Sequence, residues 1–199
     1  MNTSYAKADT LLGAVFAPMN WVRSAGLVLA FSLLTALAAQ VAIPLPFTPV
    51  PITGQTFAVL LTGALLGPRL GALAMLAYLL EGASGLPFFA AGGAGAQRLL
   101  LSPTSGYLLS YPAAAFLTGL LAERGWDKSF LKAAAAMALG SVVILLCGWS
   151  WLAIWTGSAL GAFQSGVVPF IPGDIIKVAL AAAVLPTGWA LLRRTGHKS

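Results

Sequence analysis

Charge is scarce in this chain. Only 8% of its 199 residues are Asp, Glu, Lys or Arg, and five of those are acidic. Cysteine and histidine occur once each, as Cys147 and His197. A single cysteine in an apolar run excludes a disulfide framework, and a single histidine in a polar tail leaves no Cys/His ligand set for a metal. No Gly-Lys-Ser or Gly-Lys-Thr follows any glycine-rich stretch, which excludes nucleotide hydrolysis by a phosphate loop. Ser102, Ser105 and Ser110 have no base at a telling spacing, and no apolar segment holds a histidine. That argues against an enzyme working inside a membrane. The net charge of +6 builds no nucleic-acid face, because the basic residues are dispersed at the ends of apolar runs.

Apolar length is what the chain has in abundance. With 59% apolar residues and a mean hydropathy of +0.89, it reads as an all-α integral membrane protein. The length accommodates about five to seven spans of ~20 residues. Six are expected, over Ala25–Ile43, Ile52–Leu66, Leu70–Leu80, Gly106–Ala122, Ala133–Trp155 and Pro172–Leu192, each stopped by a Pro/Gly cluster or a charge. The domain organisation is then a cytoplasmic or interfacial segment 1–24, a six-helix membrane domain 25–192, and a basic cytoplasmic tail 193–199. The apolar run 11–17 is preceded only by Lys7, offset by Asp9, so a cleavable signal is not expected.

Charge placement tests this topology independently. Six spans put both termini on one side, which receives Lys7, Arg23, Arg69, Arg124, Lys128, Lys132, Arg193, Arg194 and Lys198. Nine of the eleven basic residues on one side make a positive-inside asymmetry, so both termini are expected in the cytoplasm. Glu81, Arg98, Asp174 and Lys177 fall on the other side, in three separate segments. A charge within a membrane helix costs about 2.5–3.5 kcal/mol on insertion scales. These four residues read either as mutually satisfied ion pairs or as a polar ligand site. The second reading is preferred, because stability alone requires no charge there.

Three outer connections carry the candidate chemistry. Residues 44–56 hold four prolines, which stiffen the loop and deliver Thr53, Gln55 and Thr56 to the start of the second span. Thr53 suits a helix cap; for Gln55, cap and site stay open. Residues 81–105 are apolar and glycine-rich, too oily for a solvated loop and too broken for a helix. Irregular backbone at membrane depth needs protein or a cavity over it, as a lid packed over a ligand provides. At 172–177 the sequence Pro-Gly-Asp-Ile-Ile-Lys opens the last span. Asp174 complements the positive helix start, but Lys177 does not. Their i, i+3 spacing puts both on one face, where a carboxylate acceptor beside an ammonium donor matches a planar urea or amide. Trp149, Trp151 and Trp155 read as an interfacial aromatic belt. Gly26-x-x-x-Ala30 and Ser32-x-x-x-Ala36 give the first span small-residue ridges, facing either another span or another subunit.

These loops resemble the BioY family. The likeness runs through Pro-Phe-Thr-Pro-Val-Pro-Ile-Thr-Gly-Gln-Thr at 46–56, Tyr-Leu-Leu-Glu-Gly-Ala-Ser-Gly-Leu-Pro at 78–87, Ser-Pro-Thr-Ser-Gly-Tyr-Leu at 102–108 and Pro-Phe-Ile-Pro-Gly-Asp-Ile-Ile-Lys at 169–177. It spans about residues 25–192; Ser102 and Ser105 stand where glycine is usual, a small-for-small change. The resemblance implies a six-helix substrate-binding (S) component of an energy-coupling-factor (ECF) transporter in the bacterial cytoplasmic membrane, taking up biotin with no cofactor besides that ligand. It implies membrane lipid, a transmembrane coupling protein and cytoplasmic ATPases as partners. On this sequence, Asp174 and Lys177 would read the ureido ring and Arg98 the valerate carboxylate. Glu81, Tyr78 and Gln55 would complete a polar wall, with Tyr107 and Phe89 against the apolar bicycle. An S component for another vitamin, and a stand-alone secondary transporter of a small organic solute, are the alternatives. Ligand selectivity and transport without an ATPase would separate them.

Overall fold

The computed structural model describes residues 10–16 and 18–194, so Lys7, Asp9, His197 and Lys198 lie outside the described residues. The first element, α1 (Leu11–Val15), is capped by Thr10, whose hydroxyl accepts from the Gly13 N–H at 3.3 Å. Asn20 opens α2 (Trp21–Gln40) by accepting from the Arg23 N–H at 2.8 Å, satisfying a donor that the first helical turn leaves free. The helix thus starts four residues before its predicted span and stops three residues short of the predicted end. Beyond it, β1 (Ala42–Ile43) pairs antiparallel with β2 (Ile52–Thr53), which brings the two ends of the proline loop together.

Two shorter helices follow, α3 (Gln55–Leu66) and α4 (Pro68–Ala83), separated by Gly67 alone. Gly67 takes φ 83°, a left-handed conformation that a Cβ disfavours, and Pro68 fits the first position of the next helix. The glycine-rich connection contains a helix the sequence reading left out, α5 (Ala96–Leu100). Then come α6 (Ser105–Glu123), α7 (Phe130–Thr156), α8 (Ala159–Gly166) and α9 (Ile171–Arg194). The predicted fourth, fifth and sixth spans agree with α6, α7 and α9 to within three residues at each end. Arg193 and Arg194, assigned to the tail, complete α9.

By length and composition α2, α6, α7 and the α8–α9 run (Ala159–Arg194) can cross a membrane. α3, with 12 residues, covers about 18 Å at 1.5 Å per residue, and α4, with 16, about 24 Å. The central element is α6, which packs against α3, α4 and α7. In its most apolar window 67% of residues are buried, against 22% for α2. The peripheral helices turn apolar side chains outward: Leu29, Leu33 and Leu37 of α2, Val142 and Leu146 of α7, Ile176, Leu180 and Val184 of α9. Such a continuous oily exterior is stable only in lipid. The two small-residue ridges of α2 diverge. Ser32 and Ala36 are buried, whereas Gly26 and Ala30 face outward.

Candidate functional site

Three helices, α3, α6 and α9, begin at the same end of the bundle, and a chamber lies where they converge. Its walls come from residues 50–56, the glycine-rich connection, α6, α7 and the first turns of α9. Helix starts carry partial positive charge, so the field at this end favours an anionic group. The cavity is small, about 40 Å³, room for water alone. Ligand pockets usually enclose about 300–1,000 Å³, so a ligand enters only if a wall moves.

Asp174 and Lys177 share one face at the first turns of α9 and both line the chamber. The Lys177 ammonium lies 3.7 Å from Asp174 Oδ1, with the two side chains 17% and 13% exposed. It donates to Thr56 Oγ1 of α3 at 2.8 Å. The Ser141 hydroxyl of α7 donates to Asp174 Oδ2, so the carboxylate is held from outside the chamber while Oδ1 faces the ammonium. Each charge therefore has a polar partner on a neighbouring helix, and the acceptor–donor pair expected from the spacing is present.

Gln55 also lines the chamber and is 3% exposed. Its Nε2 donates to the Tyr78 hydroxyl at 2.5 Å, and Tyr78 donates onward to the Phe88 carbonyl at 3.1 Å. Its Oε1 accepts from Tyr111 and Thr53, each at 3.2 Å. Gly54 holds the cap position of α3, so the Gln55 side chain belongs to this network and not to a cap. Tyr78 stands behind the wall and stacks on Tyr111 with ring centroids 6.3 Å apart. Phe89 and Tyr107 line the chamber directly. The Phe89 ring, 1% exposed, meets Tyr78 edge-on at 5.7 Å. Tyr107 donates to the Gly166 carbonyl at 2.6 Å and lies 6.2 Å from Phe170.

Arg98 reaches the chamber wall from α5 and is otherwise exposed. Glu81 goes elsewhere: it accepts from the buried Ser32 hydroxyl between α4 and α2, outside the chamber lining. No ion pair joins Arg98 to Glu81 among the described residues. Trp151 and Trp149 donate their indole N–H groups to the Ser102 and Ala159 carbonyls, at 2.8 and 2.9 Å. Both therefore tie connections to α7, while Trp155 is exposed. Sequence reasoning missed Ser141, Tyr111 and Gln40. Ser141 is the first polar side chain after Lys132 in an apolar run, which is the one signal that pointed to it.

Comparison with known proteins places these residues in a wider group. The BioY family matches residues 6–194. A probable biotin transporter BioY from Pyrococcus horikoshii is 41% identical over 162 residues, which is 81% of this chain and 93% of the relative. The biotin transporter BioY of Rhizobium etli is 39% identical over 158 residues, 76% of this chain and 84% of the relative. Among solved structures, the S-component for biotin from an ECF-type ABC transporter superposes with a TM-score of 0.78 at 28% identity. That match covers 89% of this chain and 96% of the solved one.

Proposed function

Because the chain belongs to the BioY family, we propose that it takes up biotin as the substrate-binding S component of an ECF-type transporter, holding the vitamin in the chamber under α3, α6 and α9. It is a multi-pass membrane transport protein and not an enzyme. The observation that carries the site is the Asp174–Lys177 pair, a carboxylate acceptor and an ammonium donor on the wall of an otherwise mostly apolar chamber. A ureido ring presents two N–H donors beside one C=O acceptor, so Asp174 receives the former and Lys177 donates to the latter. The valerate carboxylate lies toward Arg98 and the converging helix starts, where the field favours an anion. Tyr107 and Phe89 flank the apolar bicycle. Gln55 and Tyr78 hold the polar rear wall, while Glu81 ties α4 to α2 through Ser32 and is not a ligand contact in this reading.

Six spans cross the membrane in this reading, with α3 and α4 as the short pair. The end carrying Arg23, Arg69, Arg124, Lys128 and Lys132 faces the cytoplasm by the positive-inside rule, and both termini with it. Residues 84–104 are the lid. They close over biotin from the outer side and remove water from its polar contacts, which strengthens the charge-assisted hydrogen bonds. A site that holds its ligand this way does not empty itself, so a coupling protein with cytoplasmic ATPases drives release. The outward Gly26–Ala30 face of α2 is its docking surface, since no heavy atom lies within 4 Å of a Cβ built at Gly26.

Calorimetric titration of the biotin-depleted protein tests this reading. Nanomolar binding is expected for the parent, with affinity at least about 100-fold weaker in Asp174→Asn, which leaves a buried donor facing the wrong group. Desthiobiotin keeps the ureido ring and binds nearly as well. Absence of biotin binding by folded parent protein overturns the function. Tight binding untouched by Asp174→Asn keeps biotin and removes the site.

A further inference from the structure

We propose that Gln40, the last residue of α2, is a positioning residue that latches the lid and sets how fast the ligand enters and leaves the chamber. The inference rests on reading residues 84–104 as the lid of a biotin site. Gln40 lies outside the chamber lining, yet its amide holds the turn at 87–93 from two sides. Nε2 donates to the Ala36 carbonyl of its own helix at 2.9 Å and to the Pro87 carbonyl at 3.2 Å, with the Phe89 carbonyl at 3.5 Å. Oε1 accepts from the Gly92 N–H at 3.0 Å. An amide supplies two donor hydrogens and one acceptor oxygen: one hydrogen stays on its own helix, while the other, set between the Pro87 and Phe89 carbonyls, and the oxygen both reach this turn.

The turn it holds is one the backbone resists. Ala91 takes φ 54°, ψ 40°, the one non-glycine positive φ among the described residues, and Gly92 follows at φ 73°. The Phe89–Gly93 bridge closes the turn, with the Phe89 N–H donating to the Gly93 carbonyl at 2.9 Å. At its base, the Phe89 ring fills the space left by the missing side chain of Gly82, and the Gly95 N–H donates to the Gly82 carbonyl at 2.8 Å. The bridge is internal to the turn, both Gly82 ties come from α4, and the Phe89 ring is buried. The Gln40 tie comes from another helix and from an exposed side chain that water can replace. It is the contact that can open first.

A cavity of about 40 Å³ cannot admit biotin while the turn is latched, so ligand capture waits on opening as ligand loss does. Gln40→Met keeps the length and removes every amide hydrogen bond at an exposed position, so the fold is retained. With the full chain in nanodiscs, association and dissociation of radiolabelled biotin are measured beside hydrogen exchange of residues 86–95. Losing the two lid bonds raises both rate constants by about tenfold, equivalent to ~1.4 kcal/mol, while Kd moves by less than about threefold. Exchange in the turn accelerates and that of α6 does not. Gln40→Glu, which keeps the Gly92 contact and repels the Pro87 carbonyl, falls between. Unchanged rates and unchanged exchange overturn the latch, as does a loss of binding-competent protein with no gain in association rate. Failure of the parent to bind biotin overturns the function instead, and exchange in the turn still decides the latch.

Discussion

The two ends of the helix bundle are built on opposite principles. At the chamber end the links are long, and side-chain hydrogen bonds from Gln40, Tyr78 and Tyr107 reach backbone carbonyls, with Gln55 held on Tyr78. Backbone meets backbone at the other end. A Cβ at Gly71 would sit 2.9 Å from the Gly63 Cα, and one at Gly119 would overlap the Gly67–Pro68 peptide. Leu11 of α1 fills the space above Gly188 of α9. Side-chain hydrogen bonds contribute about 1 kcal/mol each and break singly. Close-packed helix faces lose many dispersion contacts at once if they separate. The exposed, singly breakable ties make the chamber end the easier of the two to open.

Substituting matched glycines breaks that comparison most sharply. A methyl group at Gly63 would run into the Ala115 carbonyl and the Thr118 hydroxyl, so α3 and α6 must part. Gly63→Ala is expected to destabilise by about 3 kcal/mol. Gly173, beside Asp174, has no heavy atom within 4 Å of a built Cβ and lies in helix, so Gly173→Ala is expected to stabilise by ~0.5–1 kcal/mol. Thermal unfolding of the two variants in one detergent reads the contrast. Equal shifts would erase the distinction between the ends.

A smaller effect is expected from the hydroxyl that holds the chamber carboxylate. Ser141→Ala frees Asp174 Oδ2 and lets the carboxylate turn, lowering biotin affinity by about tenfold with the fold intact. Titration of Ser141→Ala beside Asp174→Asn measures it. A loss equal to that of Asp174→Asn would make Ser141 part of the ligand contact and not its holder.

Legibility in the sequence divides along the same line. Spans were readable because apolar length and Pro/Gly stops act on the backbone locally, and α6, α7 and α9 appear within three residues of their predicted bounds. The Asp174–Lys177 face was readable because i, i+3 geometry is fixed by the helix itself. Pairings between distant segments were not. Nothing in the residues around Glu81 points to Ser32, and nothing near Gln40 points to Gly92, 52 positions away. Their chemistry comes from which helices neighbour each other. Short helices α5 and α8 escaped because five and eight residues carry too little periodicity.

Asp174, half-buried at the chamber end, and Asp127, buried at the far end, are held differently. Asp174 has a partner for each oxygen, whereas Asp127, in the turn between α6 and α7, has one. Its Oδ2 accepts from the Trp189 indole of α9 at 2.5 Å, while Oδ1 is buried without a hydrogen bond, and the residue is 1% exposed. Burial pushes its carboxyl above the ordinary 3.8, against the weaker opposing pull of the indole and of Lys128. The Lys128 ammonium lies 4.6 Å above the Trp189 ring. A raised folded-state value means that the folded protein keeps this proton where the unfolded chain has released it. The stability it contributes is complete below 3.8 and is lost as pH rises through the raised value. Above 3.8 its burial therefore costs stability, with one carboxyl oxygen left without a hydrogen bond. Asp127→Asn keeps an oxygen for the Trp189 N–H and removes the charge, so it is expected to stabilise by about 1 kcal/mol at pH 7 and by little near pH 4. Unfolding midpoints of parent and variant across that range should converge on the acid side. If they diverge there instead, Asp127 is held as a carboxylate, and the far end uses its acid as the chamber end does.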